Sequence, residues 1–549
     1  MFPICKDYTN VNTHLSQLHF LFLMTFSIPK NGDKNVLFIM ADDLRPDLGC
    51  YATAHPGFDS PTMNTTNIDK LAQSSILFEK AFVQQALCNP SRTSILTSRR
   101  PDTTRVTDIT NYFRVVGGNF TTIPQWFKER GYNSIGMGKI YHNGAASGDD
   151  NDGISWTDPD SYYAGRNHYN CKNTEIWPNG NGEKCDSSLA LTEAELASQP
   201  HQDKYVADEA ISQLESVAAD ALSGTQQFFM AVGFRKPHLP FIYPESYLGN
   251  YPDLDKYLPS NNYAPGYMPD DAWYSYGELI DDYVDTGKAA YPNIQNLGNP
   301  NVTYPDEKIK ELRQAYYATI SYIDTQVGRV LDKLDELGLA DNTVVAFMGD
   351  HGWQLGEHSE WCKNTNFDIA THTPLIIRNP GVTDEGKRSS KLVEFVDIFP
   401  TLTQAAANTR LSSCKDNSND EALCTEGYSL VPLMYKPDRA DWKEAVFWQH
   451  PRGQTLTSAI KDCMGYSIRT ETHHYTEWVR ITVADDGIDY EPDWENYEST
   501  KCDHEELYDL TIDAEENYNH YANSTYADIK SDLSAKLRAG YRPYQTVVE

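Results

Sequence analysis

The chain has 549 residues, 40% of them hydrophobic and 12% aromatic, enough apolar material for a large core, so wholesale disorder is excluded. Its 78 acidic residues outweigh 46 Lys and Arg, giving a formal charge of -32, and this argues against a sequence-independent nucleic-acid binder, which needs a basic surface. An anionic substrate is compatible only if basic residues gather in a pocket.

The first apolar run, Phe20–Ile28, falls short of the roughly 18 residues that a spanning helix needs, and no other stretch reaches them. Lys6 is the only Lys or Arg before it, and no small-x-small cleavage site stands out. The run reads either as an export signal or as an N-terminal extension. Asn35–Met40 (NVLFIM) is a continuous apolar run that ends in Ala41-Asp42-Asp43. Ser134–Met137 ends at Gly138-Lys139, with His142 three residues on. Gln227–Val232 (QFFMAV) leads into Gly233 and then Lys236-Pro237-His238, and Thr343–Met348 (TVVAFM) leads into Gly349-Asp350-His351. Each run has the length of a strand buried on both faces, as in a parallel sheet. Between the last two, Ile309, Leu312, Tyr316, Ile320, Ile323, Val327, Val330 and Leu334 step by three and four, the period of an amphipathic helix, which Gly338 stops. Strands alternating with helices predict an α/β domain with its ligands beyond the carboxyl ends of the strands, so the polar clusters are expected to meet at one edge.

Two stretches interrupt this pattern. Residues 144–203 and 243–305 are rich in Asp, Asn, Pro, Gly and Tyr, and read as surface insertions able to wall a cleft. After about Arg439 the chain turns to short alternating segments such as Tyr475–Val483, which predict a smaller α+β unit with an antiparallel sheet. The expected division is an extension over 1–33, a catalytic domain over 34–439 and a C-terminal subdomain over 440–549. Cys171 and Cys185 bracket one polar loop, Cys414 and Cys424 another, and Cys463 with Cys502 offers a third bridge, all pointing to an oxidising compartment. Asn64, Asn119, Asn301 and Asn523 head Asn-x-Ser/Thr triplets, which lean the same way. The segment Gly148–Gly153 (GDDNDG) fails as a calcium loop, because its first ligand position is Gly148 and its twelfth Pro159.

The stretch that carries chemistry is Cys88-Asn89-Pro90-Ser91-Arg92-Thr93-Ser94-Ile95-Leu96-Thr97-Ser98-Arg99. It resembles the sulfatase signature, Cys-x-Pro-x-Arg with its continuation, in which the cysteine is oxidised to formylglycine after translation. The bland reading is a buried cysteine at a helix start. Sulfate-ester hydrolysis needs an oxygen nucleophile at sulfur, and a hydrated aldehyde offers two hydroxyls on one carbon, one to attack sulfur and one to expel sulfate afterwards. A plain thiol has no route to the second step. A helix beginning at residue 88 points its dipole at an anion there, and Arg92 one turn along is expected to steady the nucleophile's oxygen and the sulfate.

The resemblance extends over nearly the whole chain from about Lys34. It implies an alkaline-phosphatase-like α/β sandwich, a large mostly parallel sheet flanked by helices, with a C-terminal antiparallel sheet. It implies that Asp42, Asp43, Asp350 and His351, with residue 88, hold a divalent cation, Ca2+ by the family's habit with Mg2+ as the alternative. Lys139 and Lys363 are assigned to sulfate oxygens, His142 to the proton of the formylglycine hydroxyl, and His238 to the leaving alcohol oxygen. Within the family the likeness is nearest to the exo-acting enzymes that remove 2-O-sulfate from iduronate in heparan and dermatan sulfate. It rests on Asp42–Pro46, Arg99–Arg105, Gly349–His358, Met464–Thr470 and Tyr475–Val479, and on His351 where many sulfatases carry Asn. Arg105 and Trp353 are then expected to hold the sulfated uronate, Arg105 through its carboxylate. Two departures bear on this: Ser98 replaces a usual Gly, and Asn364 replaces a Tyr. The implied partners are a sulfated glycosaminoglycan or related oligosaccharide and the formylglycine-generating enzyme, and the implied location is lysosomal or secreted. Three alternatives stay open: a sulfatase of another polysaccharide such as an algal one, a phosphoester hydrolase of the same superfamily, and an inactive binding protein on the same scaffold.

Overall fold

A computed structural model describes residues 32–53, 61–165, 184–415, 418–453, 461–484, 488–494, 502 and 504–544. The Phe20–Ile28 run and Cys171 lie outside the described residues. The central sheet has seven strands: β1 (Asn35–Asp42), β2 (Ile76–Phe82), β3 (Asn133–Gly138), β4 (Phe228–Pro237), β5 (Thr343–Gly349), β6 (Leu375–Arg378) and β7 (Lys387–Glu394). Their order is β7-β2-β6-β5-β1-β4-β3, and only β6 runs antiparallel to its neighbours. The four apolar runs read from the sequence are four adjacent parallel strands, β5-β1-β4-β3.

The continuous apolar character of β1 follows from burial on both sides. Leu37, Ile39 and Ala41 enter one core, and Val36, Phe38 and Met40 the other. On the first face lie α2 (Gln202–Ser223) and α3 (Asp306–Glu336); on the second lie α1 (Cys88–Thr97) and α4 (Ile398–Ala407). All eight apolar positions expected on α3 are at most 1% exposed. Burying each large aliphatic side chain is worth about 1.5–3 kcal/mol, which explains a long helix lying flat on the sheet. Gly338, at φ +70, follows its C-cap Leu337. This is the expected α/β sandwich.

The C-terminal sheet contains β8 (Ala445–Gly453), β9 (Lys461–Thr470), β10 (His473–Val483), β11 (Tyr490–Pro492) and β12 (His504–Asp509), antiparallel throughout. Leu533 and Leu537 of α5 (Ala527–Arg538) pack into its core beside Ile468 and Tyr475. Cys414–Cys424 and Cys463–Cys502 are bonded as expected, and Cys185 is disulfide-bonded. The four acceptor asparagines are all exposed.

A buried ion cluster ties the start of this sheet to the central one. Lys443 Nζ donates to Glu394 Oε2 at 2.9 Å and to Asp397 Oδ1 at 2.6 Å, while Arg100 Nη2 pairs with Glu394 Oε1 at 2.8 Å. Removing one partner strands buried charge. Lys443→Ala is therefore expected to cost about 3–5 kcal/mol, read as a lowered midpoint of chemical or thermal unfolding. A midpoint unchanged from wild type would show that the cluster adds nothing.

Candidate active site

Because β5, β1, β4 and β3 are parallel neighbours, their carboxyl ends open side by side. The register of β1 against β4 shifts between Ala41 and Asp42, and Asp43 takes a left-handed φ of +58. That kink turns successive aspartates into the same space. Asp43 is fixed at both backbone groups: its N–H donates to Asp350 Oδ1 at 2.9 Å, and its carbonyl accepts from Tyr316 of α3 at 2.7 Å. Farther along, Arg45 Nη1 donates to Glu357 Oε1 at 2.9 Å and ties the loop after β1 to the loop after β5. At the end of β3 the chain must pass against β4. A side chain on Gly138 would lie 1.9 Å from the Gly233 carbonyl, so glycine is required there. The closeness lets the Lys139 N–H bond Gly233 and brings its ammonium to Asp42 Oδ2 at 2.6 Å.

Cys88 is the first residue of α1 and is 3% exposed, with its Sγ 4.0 Å from Asp43 Oδ1. The helix ends at Ser98, whose φ of +54 normally favours glycine. Its hydroxyl bonds the Val396 carbonyl at 2.5 Å and Thr425 Oγ1 at 2.6 Å, partners that glycine lacks. Arg92 does more than the sequence suggests. Its Nε donates to Asp350 Oδ2 at 2.9 Å, its Nη2 to Asp42 Oδ1 at 2.8 Å, and its Nη1 to the carbonyls of Lys139 and Ile140. These contacts tie three strand ends together, and the guanidinium stays close enough to Cys88 for the two charges to interact.

The charges are tightly coupled. Burial opposes ionisation of Asp42, but Lys139 and Arg92 outweigh it and hold the carboxyl well below the usual range. Burial pushes Asp43 well above its usual range despite Lys363, whose Nζ is 3.1 Å from both carboxylate oxygens, because Asp42, Glu278 and Asp350 crowd it. Burial also works against Lys363, but Asp43 and its neighbours keep it an ammonium. His142 is pushed down to about 3 by burial and by Lys139, and His238 is lowered by burial and by Lys363. The thiol of Cys88 is pushed up by burial, with Asp42 and Asp350 adding to the shift.

The donor set suits a divalent cation. Atoms of Asp43, Cys88, Asp350 and His351 lie within 4.8 Å of one another. His351 Nδ1 is 2.9 Å from the Gly352 carbonyl, which makes it the protonated nitrogen and leaves Nε2 with a lone pair. That buried Nε2 has no hydrogen-bond partner and faces Asp43 Oδ1 at 3.4 Å and Asp350 Oδ2 at 3.6 Å. A lone pair set against two carboxylate oxygens is repulsive unless a cation lies between them. Asp42, by contrast, has one oxygen on Arg92 and the other on Lys139.

Of these groups Cys88 opens on a cleft of about 610 Å³, which His142, His238, Lys363 and Asn364 also line. The insertion over residues 243–305 supplies one wall through Trp273, Tyr274, Glu278, Asp281 and Asp282, and β8 supplies another through His450 and Arg452. The earlier insertion supplies none of the described lining residues. Neither Arg105 nor Trp353 lines the cleft. Arg105 pairs with Asp489 Oδ1 at 3.0 Å and covers the Tyr490 ring, while Trp353 is buried beneath Lys363, whose Nζ is 4.8 Å from the ring centroid. Sequence reasoning missed Glu278 and Arg452. Glu278 lies in a short helix, Gly277–Asp282, within an acidic stretch that carries no motif. Arg452 donates to the carbonyls of Asp271, Ala272 and Asn364, closing β8 onto the insertion.

A family model described as Sulfatase matches residues 34–408. The chain is 36% identical over 543 residues to iduronate 2-sulfatase of Mus musculus, covering 91% of this chain and 93% of that protein. It is 36% identical over 539 residues to iduronate 2-sulfatase of Homo sapiens, covering 90% and 92%. Among solved structures, one of a protein in complex with its substrate D-glucosamine-2-N,6-O-disulfate superposes with a TM-score of 0.66 at 19% identity, covering 93% of this chain and 98% of that one. Phosphonate monoester hydrolase from Silicibacter pomeroyi gives 0.65 at 21% identity, covering 93% and 96%. At such identities the solved structures speak for the fold alone.

Proposed function

Because the chain belongs to the sulfatase family and is a sulfuric ester hydrolase, we propose that it removes 2-O-sulfate from a terminal uronic acid, iduronate 2-sulfate, in glycosaminoglycans such as heparan and dermatan sulfate. The sugar assignment draws on 36% identity across nine tenths of both chains. The observation that carries the chemistry is the convergence on residue 88 of Asp43, Asp350 and the lone pair of His351, with Lys363 beside them.

Matured to formylglycine and hydrated, residue 88 supplies the two hydroxyls that the double displacement needs. A divalent cation, Ca2+ on this reading, supplies charge for a sulfate oxygen and acidifies a hydroxyl at residue 88. Asp43, Asp350 and His351 would hold it, and Asp42, expected from the sequence to join them, instead spends its oxygens on Arg92 and Lys139 beside them. Lys139 and Lys363 draw the sulfate to the end of α1, and Arg92 keeps the strand ends in register. His142 lines the cleft with residue 88 and on this reading accepts the proton of its hydroxyl, once the negative charge of bound sulfate offsets the burial and the Lys139 charge that weaken it as a base. His238 turns Nδ1 to the Leu239 carbonyl at 2.5 Å, and its Nε2 lies 3.5 Å from Glu278, the face from which it protonates the departing alcohol. An incoming sulfate adds negative charge beside this imidazole and favours its protonated form. A cleft walled by the insertion and by β8 suits a chain end, hence exo action.

Cys88 is almost wholly buried, so the formylglycine-generating enzyme must reach it before the chain closes. The two described bridges and the exposed acceptor asparagines support maturation in the secretory pathway, ending in the lysosome or outside the cell.

The test is a panel of terminally sulfated disaccharides and sulfated algal oligosaccharides. The expected result is kcat/KM at least about 100-fold higher for the 2-O-sulfated uronate than for 6-O-sulfated hexosamine or galactan sulfates, a gap within reach of a polar pocket. Faster turnover of an algal substrate would replace the sugar assignment while leaving the sulfatase intact.

A further inference from the structure

Lys236, at the carboxyl end of β4, is a buried cation that the sulfate site leaves over. It is 1% exposed and does not line the cleft. Burial and Arg235 both disfavour its charge. Its ammonium nevertheless goes to two neutral groups: Nζ donates to the His238 carbonyl at 2.7 Å and to the Pro240 carbonyl at 2.6 Å. Those two carbonyls flank a third, that of Leu239, which lies 2.5 Å from His238 Nδ1 and sets the direction of the imidazole. Lys236 thus clamps the peptide groups on both sides of the one that aims His238. The clamp is itself anchored to the helical layer. Asp203, 1% exposed in the first turn of α2, accepts the Arg235 N–H on Oδ1 at 2.8 Å and the Lys236 N–H on Oδ2 at 3.0 Å. Hydrogen bonds with one ionised partner are about twice as strong as neutral ones, and all four of these are of that kind. A buried ammonium is costly to desolvate, and carbonyls compensate it less than a carboxylate would. What the arrangement supplies is a fixed position for those carbonyls.

We propose that Lys236, braced by Asp203, is the positioning residue for His238, holding the imidazole so that Nε2 faces the alcohol oxygen as the S–O ester bond breaks. This rests on His238 as proton donor to the leaving alcohol, and not on which sugar bears the sulfate. A general acid contributes only when its proton is within hydrogen-bond reach of the oxygen that receives it, and a misplacement of about 1 Å can cost about 100-fold. The surroundings of His238 make such a misplacement easy. Its Nε2 stands 3.5 Å from Glu278 Oε1 and 3.9 Å from Asp43 Oδ2. A protonated ring free to swing is drawn onto one of these carboxylates and away from the substrate. Fixing the Leu239 peptide from both sides removes that freedom. Lys236 touches no reacting atom, so its whole effect on the rate passes through His238.

The test is a double-mutant cycle on formylglycine-bearing protein, run with whichever member of the oligosaccharide panel turns over fastest, each variant being checked for a native melting transition. His238→Ala should lower kcat by at least about 100-fold, the contribution of a general acid. Lys236→Met, of similar length but without donors, should lower kcat by at least about tenfold, with KM changing less than about threefold. In the His238→Ala background the same Lys236→Met change should cost less than about threefold in kcat, because the imidazole through which Lys236 acts is already gone. Should Lys236→Met fail to fold, Lys236→Gln, too short to span both carbonyls but still polar, takes its place in the cycle under the same criteria. A larger loss in the His238→Ala background overturns the proposal and leaves Lys236 as a support of the fold. A smaller loss of kcat in the wild-type background, or a loss seated in KM, overturns it as well. A His238→Ala variant that keeps most of its kcat overturns instead the assignment of His238 on which the positioning depends.

Discussion

Cys88→Ala and Cys88→Ser are expected to abolish sulfate-ester cleavage, with kcat/KM falling by at least about 10⁴-fold, while the melting transition stays close to wild type. The two substitutions ask different questions. Alanine removes the nucleophile. Serine keeps a hydroxyl able to attack sulfur, but it has no second hydroxyl on the same carbon, so sulfate once transferred has no internal route out. A serine variant that traps one equivalent of sulfate and stops would display that missing step directly. The unmodified thiol is expected to be inert as well, because burial between Asp42 and Asp350 pushes it up and little thiolate forms near neutrality. Activity across preparations should then track the fraction of the residue-88 peptide that shows the thiol-to-aldehyde mass change. Full turnover by a preparation lacking the aldehyde would remove residue 88 from the mechanism.

Much of this site could be read from the chain because its pieces are short, local and placed by a rule. Asp42, Lys139, His238 and Asp350 each follow an apolar run, and parallel neighbours deliver such residues to one edge. Residues held by long-range pairing were harder to read. Arg105 sits in a segment that pointed to the substrate, yet its guanidinium meets Asp489 and Tyr490, nearly four hundred residues on. Trp353 was read as a sugar contact and instead lies under Lys363, a placement set by packing inside the loop after β5. Arg92 was assigned to the nucleophile because it lies one helical turn away. Its hydrogen bonds go to the strand ends that the helix is packed against, which the signature alone does not reveal. Glu278 carried no local signal, since a carboxylate in an acidic insertion looks solvated until the fold brings it to Lys363.

Chelation, or Asp43→Asn, should lower turnover by about 10³-fold or more, on the scale of losing a major electrostatic contribution to the transition state. The reason lies in the charge around residue 88. Asp42, Asp43, Asp350 and Glu278 face Arg92, Lys139 and Lys363, and two of these cations are already committed, Arg92 to Asp42 and Asp350 and Lys139 to Asp42. That leaves Lys363 for both Asp43 and Glu278, and burial still holds Asp43 well above the usual carboxylate range. A divalent ion seated among Asp43, Asp350 and His351 Nε2 would relieve the crowding and let Lys363 turn to the sulfate. Binding is then visible without catalysis: saturating Ca2+ at about 100 times its dissociation constant should stabilise the fold by about 2.7 kcal/mol, as a rise in melting temperature. Asp43→Asn should lose most of that rise, because it removes a full charge from the ion's surroundings at nearly constant shape. Ca2+ added back after EDTA should restore both the melting temperature and turnover. A protein whose stability and rate both ignore EDTA would show that the four carboxylates are balanced by the lysines and Arg92 alone, and the ion would drop out of the chemistry.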